Sequence, residues 1–177
     1  MPLPDAISGA MNALSFRNAD PGTWPVGLVL VASLGALATA FAGEHLFGLE
    51  PCILCLYERV PYAAAAVVAG VALAMPGLSL WRVRLMALAA VVFLVGAGLA
   101  FYHVGVEQHW WRSVAGCEGA LATDVGDLRN LSPSNLKPCD RVDWRLFGLS
   151  LAAYNVIFSL ALAALCLVAV RLLTRKA

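Results

Sequence analysis

Four long apolar runs divide this chain, and they constrain its fold more than any other feature of the sequence. The first, residues 24–43, contains no charged side chain, and as a helix it would be about 30 Å long, the thickness of a bilayer's hydrocarbon core. The other runs lie at about 60–77, 85–102 and 147–170. Barrel strands alternate polar and apolar residues over about ten positions, and these runs do not. The sequence therefore predicts an all-α membrane protein, a four-transmembrane-helix bundle forming one integral membrane domain over residues 1–177.

Composition excludes other classes of protein. The chain is 61% hydrophobic and 13% charged, whereas soluble domains carry about 45–50% apolar and about 25% charged residues. Disorder requires low hydrophobicity and high net charge, so it is excluded as well. The net charge of +1 provides no basic surface for a polyanion, and we expect no nucleic-acid partner.

Basic residues predict the orientation of the spans. Six of them lie in the N-terminal tail, the connection between the second and third spans, and the C-terminus: Arg17, Arg82, Arg84, Arg171, Arg175 and Lys176. The positive-inside rule places these segments in the cytoplasm and the loops 44–59 and 103–146 on the exoplasmic side, the periplasm of a bacterium. The tail is not a secretory signal, because it lacks a basic start. We expect short surface helices at residues 6–16 and 121–136.

Four of the five cysteines fall in these two loops, one pair in each. Cys52 and Cys55 form a Cys-x-x-Cys at the start of the second helix, where the small ring suits a bond that opens and re-forms. The helix dipole and Arg59, one turn further on, predict a lowered pKa for Cys55. Cys117 and Cys139 enclose 21 residues, a spacing that by itself is typical of a structural disulfide.

Zinc is the alternative interpretation of four cysteines. A structural zinc site favours two closely spaced pairs, and only one pair here is close, so we expect no metal. Cys166 lies among apolar residues of the fourth span, which indicates helix packing. Glu58 is adjacent to Arg59, and neighbouring helix residues point in different directions, so we assign Glu58 no catalytic role.

Three strings resemble one known family. They are Pro-Cys-Ile-Leu-Cys-Leu-Tyr-Glu-Arg at 51–59, Tyr-His-Val-Gly at 102–105 and Cys-Asp-Arg-Val-Asp-Trp-Arg-Leu-Phe-Gly-Leu-Ser at 139–150. Together with four spans and two cysteine pairs, they resemble DsbB, a bacterial inner-membrane thiol:quinone oxidoreductase that reoxidises the periplasmic oxidase DsbA and so sustains disulfide bond formation. The resemblance covers about residues 30–170.

The resemblance implies a relay through four catalytic cysteines. The thiolate of a DsbA-like partner attacks the Cys117–Cys139 disulfide at Cys117. Freed Cys139 then attacks Cys52, and the released Cys55 passes electrons to a bound quinone. Because the partner is water-soluble and the quinone lipid-soluble, the cysteines are expected at the boundary of the bilayer.

The resemblance also implies a quinone site formed by Arg59, Cys55 and His103. Ubiquinone is the expected quinone, with menaquinone as the alternative; for His103, an ordinary interfacial histidine is the competing interpretation.

Two other functions remain open. One is a thiol–quinone enzyme with a different thiol partner, as in vitamin K epoxide reductase relatives, although those carry the Cys-x-x-Cys in a late span. The other is a four-span scaffold with structural loop disulfides. A tetraspanin-like scaffold predicts adjacent cysteines in its long loop, and this sequence has none.

Overall fold

The computed structural model describes residues 23–74, 80–114, 117, 137–142 and 144–175. Their helices and strands run in the order α1 (Trp24–Phe47), α2 (Ile53–Tyr57), α3 (Arg59–Ala74), α4 (Leu80–Glu107), β1 (Arg145–Leu146), β2 (Leu149–Ser150) and α5 (Leu151–Thr174). The surface helices expected at 6–16 and 121–136 lie outside the described residues.

The prediction of four apolar spans is confirmed. Four helical segments are long and apolar enough to cross a membrane: Trp24–Phe47, Ile53–Ala74, Leu80–Glu107 and Leu151–Thr174. The helices extend beyond several of the predicted apolar runs. The second span begins seven residues before position 60, and the third extends from 80 to 107 rather than from 85 to 102. Arg82 and Arg84 therefore lie on α4 instead of in a loop. Arginine can be part of a membrane helix near its end, because its long side chain brings the charged group to water or to a polar partner.

Pro61 explains why the second span is interrupted after one turn. Proline has no N–H, and its ring clashes with the carbonyl four residues earlier, which here belongs to Tyr57. Helix α2 ends at Tyr57, and α3 begins at Arg59. Glu58 is thus left at the junction between two helical segments, where its carboxylate is directed into the protein and its side chain is buried.

A tight hairpin precedes the last helix, which begins at Leu151 rather than at about 147, where the sequence predicts the fourth apolar span to start. Strands β1 and β2 pair antiparallel through the turn residues Phe147 and Gly148, both with positive φ, 49° and 81°. This conformation suits a two-residue hairpin turn and is incompatible with a right-handed helix. Helix α5 begins only after Ser150, whose Oγ accepts the N–H of Ala153 as an N-cap.

Small side chains allow close packing of the bundle. The buried alanines of α3 are Ala65, Ala66, Ala69 and Ala72. A Cβ on Gly96 of α4 would lie 3.0 Å from Pro61, so glycine is needed where α3 and α4 approach each other. Phe93 and Met86 fill the centre of the core, where they are fully buried.

The bundle has two chemically different ends. The C-terminal ends of α1 and α4 and the N-terminal ends of α2 and α5 meet at one end, and the cysteine-bearing connections join them there. At the opposite end lie the arginines Arg82, Arg84, Arg171 and Arg175. Both cysteine pairs therefore lie on the same side of the four spans.

Candidate active site

Cys52 and Cys55 form a close thiol pair at the start of α2. Their Sγ atoms are 2.8 Å apart, and both are free thiols. Cys52 is the N-cap of α2, and its Sγ accepts the backbone N–H of Cys55 at 3.2 Å. The one-turn helix therefore holds both sulfurs on the same side, where little movement is needed to join them in a disulfide.

The helix N-terminus acts on Cys52 rather than on Cys55. The hydrogen bond from the Cys55 thiol, assisted by the Cys55 backbone N–H, holds the pKa of Cys52 below its usual value despite burial. The capping interaction of α2 is thus made by Cys52, whereas the sequence predicts the stabilised thiolate at Cys55.

Arg59 binds a carboxylate, not a sulfur. Its guanidinium pairs with Glu44 near the end of α1 and lies over the ring of Phe41, 5.1 Å from the centroid. Both charged side chains are largely buried, which strengthens their attraction. The expectation that Arg59 acts directly on Cys55 did not include Glu44, because that residue lies fifteen positions earlier in the chain.

His103 connects the thiol pair to a buried polar network. Its Nε2 lies 3.6 Å from Cys52 Sγ, and its Nδ1 lies 2.6 Å from Glu58 Oε1. Since a carboxylate only accepts hydrogen bonds, Nδ1 carries the proton. The other oxygen of Glu58 accepts the side-chain amide of Asn155, and Tyr62 donates its hydroxyl to Asn155. His103 is thus no ordinary interfacial histidine; it lies one turn inside α4 and is buried.

Glu107 is the second buried carboxylate near His103. Its Oε1 lies 4.0 Å from His103 Nε2. Within the described part of the chain, its Oε2 is buried without a hydrogen-bond partner. Sequence reasoning missed both Glu107 and Asn155. The available signal was a glutamate four residues after His103 on an otherwise apolar helix, because that spacing places the two on one helix face.

The second cysteine pair lies against the first. Cys117 and Cys139 form a disulfide with Cα atoms 5.3 Å apart, and Cys139 is fully buried. The backbone at Lys137 runs parallel to that at Cys52, where the two residues form an isolated bridge. Cys52, Cys139 and Val106 belong to one buried apolar cluster, against which Cys55 and Cys117 pack. All four sequence-predicted cysteines are therefore brought together.

Gly105 of α4 allows the segment before Cys117 to approach. A Cβ at Gly105 would lie 2.0 Å from the ring of Trp111. Trp111 stacks on Tyr102 with centroids 6.0 Å apart, and the hydroxyl of Tyr102 accepts the N–H of Val114. The glycine thus fixes the path of the chain toward the disulfide.

We expect Gly105→Ala to lower the free energy of unfolding by about 1–3 kcal/mol, because the added methyl group overpacks the contact with Trp111. Thermal unfolding of the purified protein in detergent measures this change. Gly98→Ala on the same helix is the matched control, because a Cβ there meets nothing within 4 Å, and it is expected to be neutral or stabilising by about 1 kcal/mol. Equal stability of the two variants would contradict the packing role of Gly105.

A cleft of about 1040 Å³ lies beside the thiol pair. One wall is a mostly apolar strip of α1 that extends from Ala32 to Phe47, and α5 contributes Phe158 to the other side. Its polar end is formed by Cys52, Cys55, Glu58, Arg59, His103 and Glu107. The expected site residues Arg59, Cys55 and His103 therefore line one cavity, which suits a flat polar ring carrying an apolar tail.

Comparisons with known proteins match most of the chain to one family. The family model described as "Disulfide bond formation protein DsbB" matches residues 23–169. The chain is 33% identical over 145 residues to the disulfide bond formation protein B of Marinobacter nauticus, covering 76% of this chain and 83% of the relative. It is 31% identical over 147 residues to that of Acinetobacter baumannii, covering 80% and 86%. No solved structure matches the chain significantly.

Proposed function

The chain belongs to the DsbB family of disulfide bond formation proteins, and from this membership we propose that it is a thiol:quinone oxidoreductase of the bacterial inner membrane. It reoxidises a periplasmic DsbA-like protein and passes the electrons to a membrane quinone. The observation that supports this most strongly is that all four loop cysteines pack in one cluster next to an apolar cleft.

The relay begins at Cys117, the half-buried cysteine of the second pair. The partner's thiolate attacks Cys117 Sγ, the Cys117–Cys139 bond breaks, and Cys139 leaves as a thiolate. Cys139 then attacks Cys52 of the oxidised first pair, and Cys55 leaves as a thiolate. The partner's second thiol releases Cys117, which restores the Cys117–Cys139 bond and frees Cys52. The partner has then lost two electrons and two protons, and Cys52 and Cys55 hold the electrons as a dithiol.

The cleft fits a quinone. Its apolar walls accommodate a lipid tail, and its polar end offers the Arg59 guanidinium as a hydrogen-bond donor near the sulfurs. A quinone bound there supplies an acceptor for two electrons and two protons, so that the Cys52–Cys55 bond re-forms. Arg59 would exchange its partner Glu44 for the ring oxygen. His103 can move a proton between the thiol pair and Glu58, since its two ring nitrogens face these groups.

The direction of electron flow is energetically consistent. A DsbA-like oxidase has a reduction potential of about −120 mV, so its reoxidation requires a stronger acceptor, and about 30 mV corresponds to about 1.4 kcal/mol for two electrons. A respiratory quinone meets this requirement. Its solubility in lipid and the partner's solubility in water explain why the enzyme spans the membrane.

We propose that the cysteine end of the bundle faces the periplasm. The opposite end carries Arg82 and Arg84 at the start of α4 and Arg171 near the end of α5, and the positive-inside rule assigns such an end to the cytoplasm. Labelling of single cysteines from each side of intact cells tests the orientation. Modification of Cys52 and Cys117 from the cytoplasmic side would contradict it.

The direct test uses the full chain in detergent, reduced DsbA and ubiquinone, with menaquinone in a parallel reaction. We expect one quinone to be reduced for each partner disulfide formed. A chain that forms both disulfides without reducing either quinone would instead be the scaffold. Quinone reduction driven by a different thiol protein but not by DsbA would support the other partner class.

Arg59→Ala is expected to raise the apparent KM for quinone about tenfold or more, because a hydrogen bond to a charged group contributes about 1.5–3 kcal/mol. Steady-state quinone reduction at saturating partner measures the change. Arg84→Ala is the matched control: this arginine lies over Trp81 at the other end of the bundle and should leave the KM unchanged. An unchanged KM in Arg59→Ala would remove Arg59 from the quinone site.

A further inference from the structure

We propose that the reduced thiol pair is also a binding site for a zinc-class divalent cation, with Cys52, Cys55 and His103 as ligands and Glu107 as the fourth. The site differs from the four-cysteine zinc site that the sequence argues against, because Cys117 and Cys139 take no part. Its ligands come from the start of α2 and from the last turns of α4.

The ligand atoms are already near tetrahedral spacing. Cys52 Sγ, Cys55 Sγ and His103 Nε2 all lie within 4.8 Å of one another, and Cys52 Sγ lies 3.6 Å from the ring nitrogen. With Zn–S of about 2.3 Å and Zn–N of about 2.0–2.1 Å, tetrahedral ligand atoms are roughly 3.5–3.8 Å apart. The two sulfurs, at 2.8 Å, need to separate by about 1 Å, which a small rotation of the half-buried Cys55 side chain provides.

Glu58 and Asn155 orient His103 for binding a metal. Glu58 accepts the proton of Nδ1, so the lone pair of Nε2 is directed at the sulfurs. Asn155 in turn donates to Glu58 and holds its carboxylate in place. A carboxylate that orients a histidine in this way is the usual outer shell of protein zinc sites.

Glu107 supplies the independent indication of a ligand. Its Oε2 is buried and has no hydrogen-bond partner among the described residues, although a buried acceptor normally has one. Its Oε1 lies 4.0 Å from His103 Nε2, close to the separation expected of two ligands on one ion. Glu107 is not in the group whose ligand atoms all lie within 4.8 Å of one another, so its side chain must move toward the sulfurs to complete a set of two sulfurs, one nitrogen and one oxygen. Carboxylate oxygen is an established zinc ligand.

Binding depends on the redox state of the pair. Both thiols must lose their protons to coordinate the cation, and these protons are released to solvent. A Cys52–Cys55 disulfide has no thiolate to offer. A bound cation would therefore hold the pair reduced and stop turnover, a consequence that rests on the function proposed above, whereas the binding itself does not.

The test measures Co²⁺ binding to the full chain in detergent without quinone or partner. The protein is compared after phosphine reduction and after oxidation. The reduced protein is expected to bind one Co²⁺ with the absorption of a tetrahedral thiolate complex, which Zn²⁺ then displaces; the oxidised protein should bind none at this site. Equal binding by the two forms, or octahedral absorption without a sulfur charge-transfer band, would overturn the proposal. Since no step of turnover is measured, these results are independent of the oxidoreductase assay.

Variants locate the ligands. Glu58→Gln is expected to weaken Co²⁺ binding about 10–100-fold through the outer shell, and His103→Gln and Glu107→Gln should weaken it at least as much. His109→Gln is the matched histidine control, because this exposed ring lies near Asp140 outside the site. A Cys117→Ser/Cys139→Ser double variant should keep the binding. Loss of binding in that double variant, or unchanged binding in His103→Gln, would overturn the ligand assignment.

Discussion

Replacing Cys55 with serine is expected to reduce quinone turnover to the uncatalysed background. A serine hydroxyl forms no bond with Cys52 Sγ, so the first pair can neither store two electrons nor regenerate a disulfide. In the proposed relay Cys55 is the sulfur released when Cys139 attacks Cys52, and it lines the same cleft as Arg59. Quinone absorbance after mixing with reduced DsbA measures the effect.

Cys166→Ser is the matched control for this substitution. Cys166 is a free thiol, fully buried in the core of the bundle, and it packs with Phe93 and Leu162. A serine there is expected to leave the turnover of the folded protein unchanged. Turnover retained by Cys55→Ser, or lost in Cys166→Ser, would contradict the assignment of the redox pair.

Replacing Cys117 with serine is expected to abolish oxidation of the partner and to spare the first pair. Without Cys117 the second pair has no disulfide that the partner's thiolate could attack, since Cys139 is fully buried and left unpaired. The half-buried Cys55 remains accessible to a small dithiol. Quinone reduction driven by dithiothreitol should therefore persist while reduction driven by DsbA is lost.

Measuring quinone reduction by the Cys117→Ser variant with DsbA and with dithiothreitol, on one preparation, tests whether the two activities separate. Loss of both activities would show that the long loop is needed to form the quinone site itself. Normal oxidation of the partner would exclude Cys117 as its point of entry.

The sequence predicts the spans and the cysteines well, because both depend on local patterns. An uncharged run of about 20 residues is sufficient for a span, and the Cys-x-x-Cys places its sulfurs one helical turn apart. The helix ends were predicted less well. Whether α4 extends to Leu80 and Glu107 depends on what Arg82 and Glu107 contact, and hydropathy does not encode such contacts; Arg82, for example, donates to the carbonyl of Ala72 on the preceding helix.

The polar network was not predictable from spacing along the chain. Glu58 contacts His103 across 45 positions and Asn155 across 97, and such contacts follow from how the helices are rotated and stacked. The sequence argument that Glu58 and Arg59 point in different directions is confirmed, since one contacts His103 and the other Glu44. No local pattern, however, indicated those two partners.

The backbone bridge between Cys52 and Lys137 has a kinetic consequence. Cys139 follows Lys137 by two residues, so in the proposed relay it would remain tethered beside Cys52 after its own disulfide breaks. Thiol exchange between the two pairs is then a first-order reaction within a single molecule, governed by an effective molarity that dilution of the protein does not change. Only the encounter with the soluble partner and the supply of quinone remain dependent on concentration.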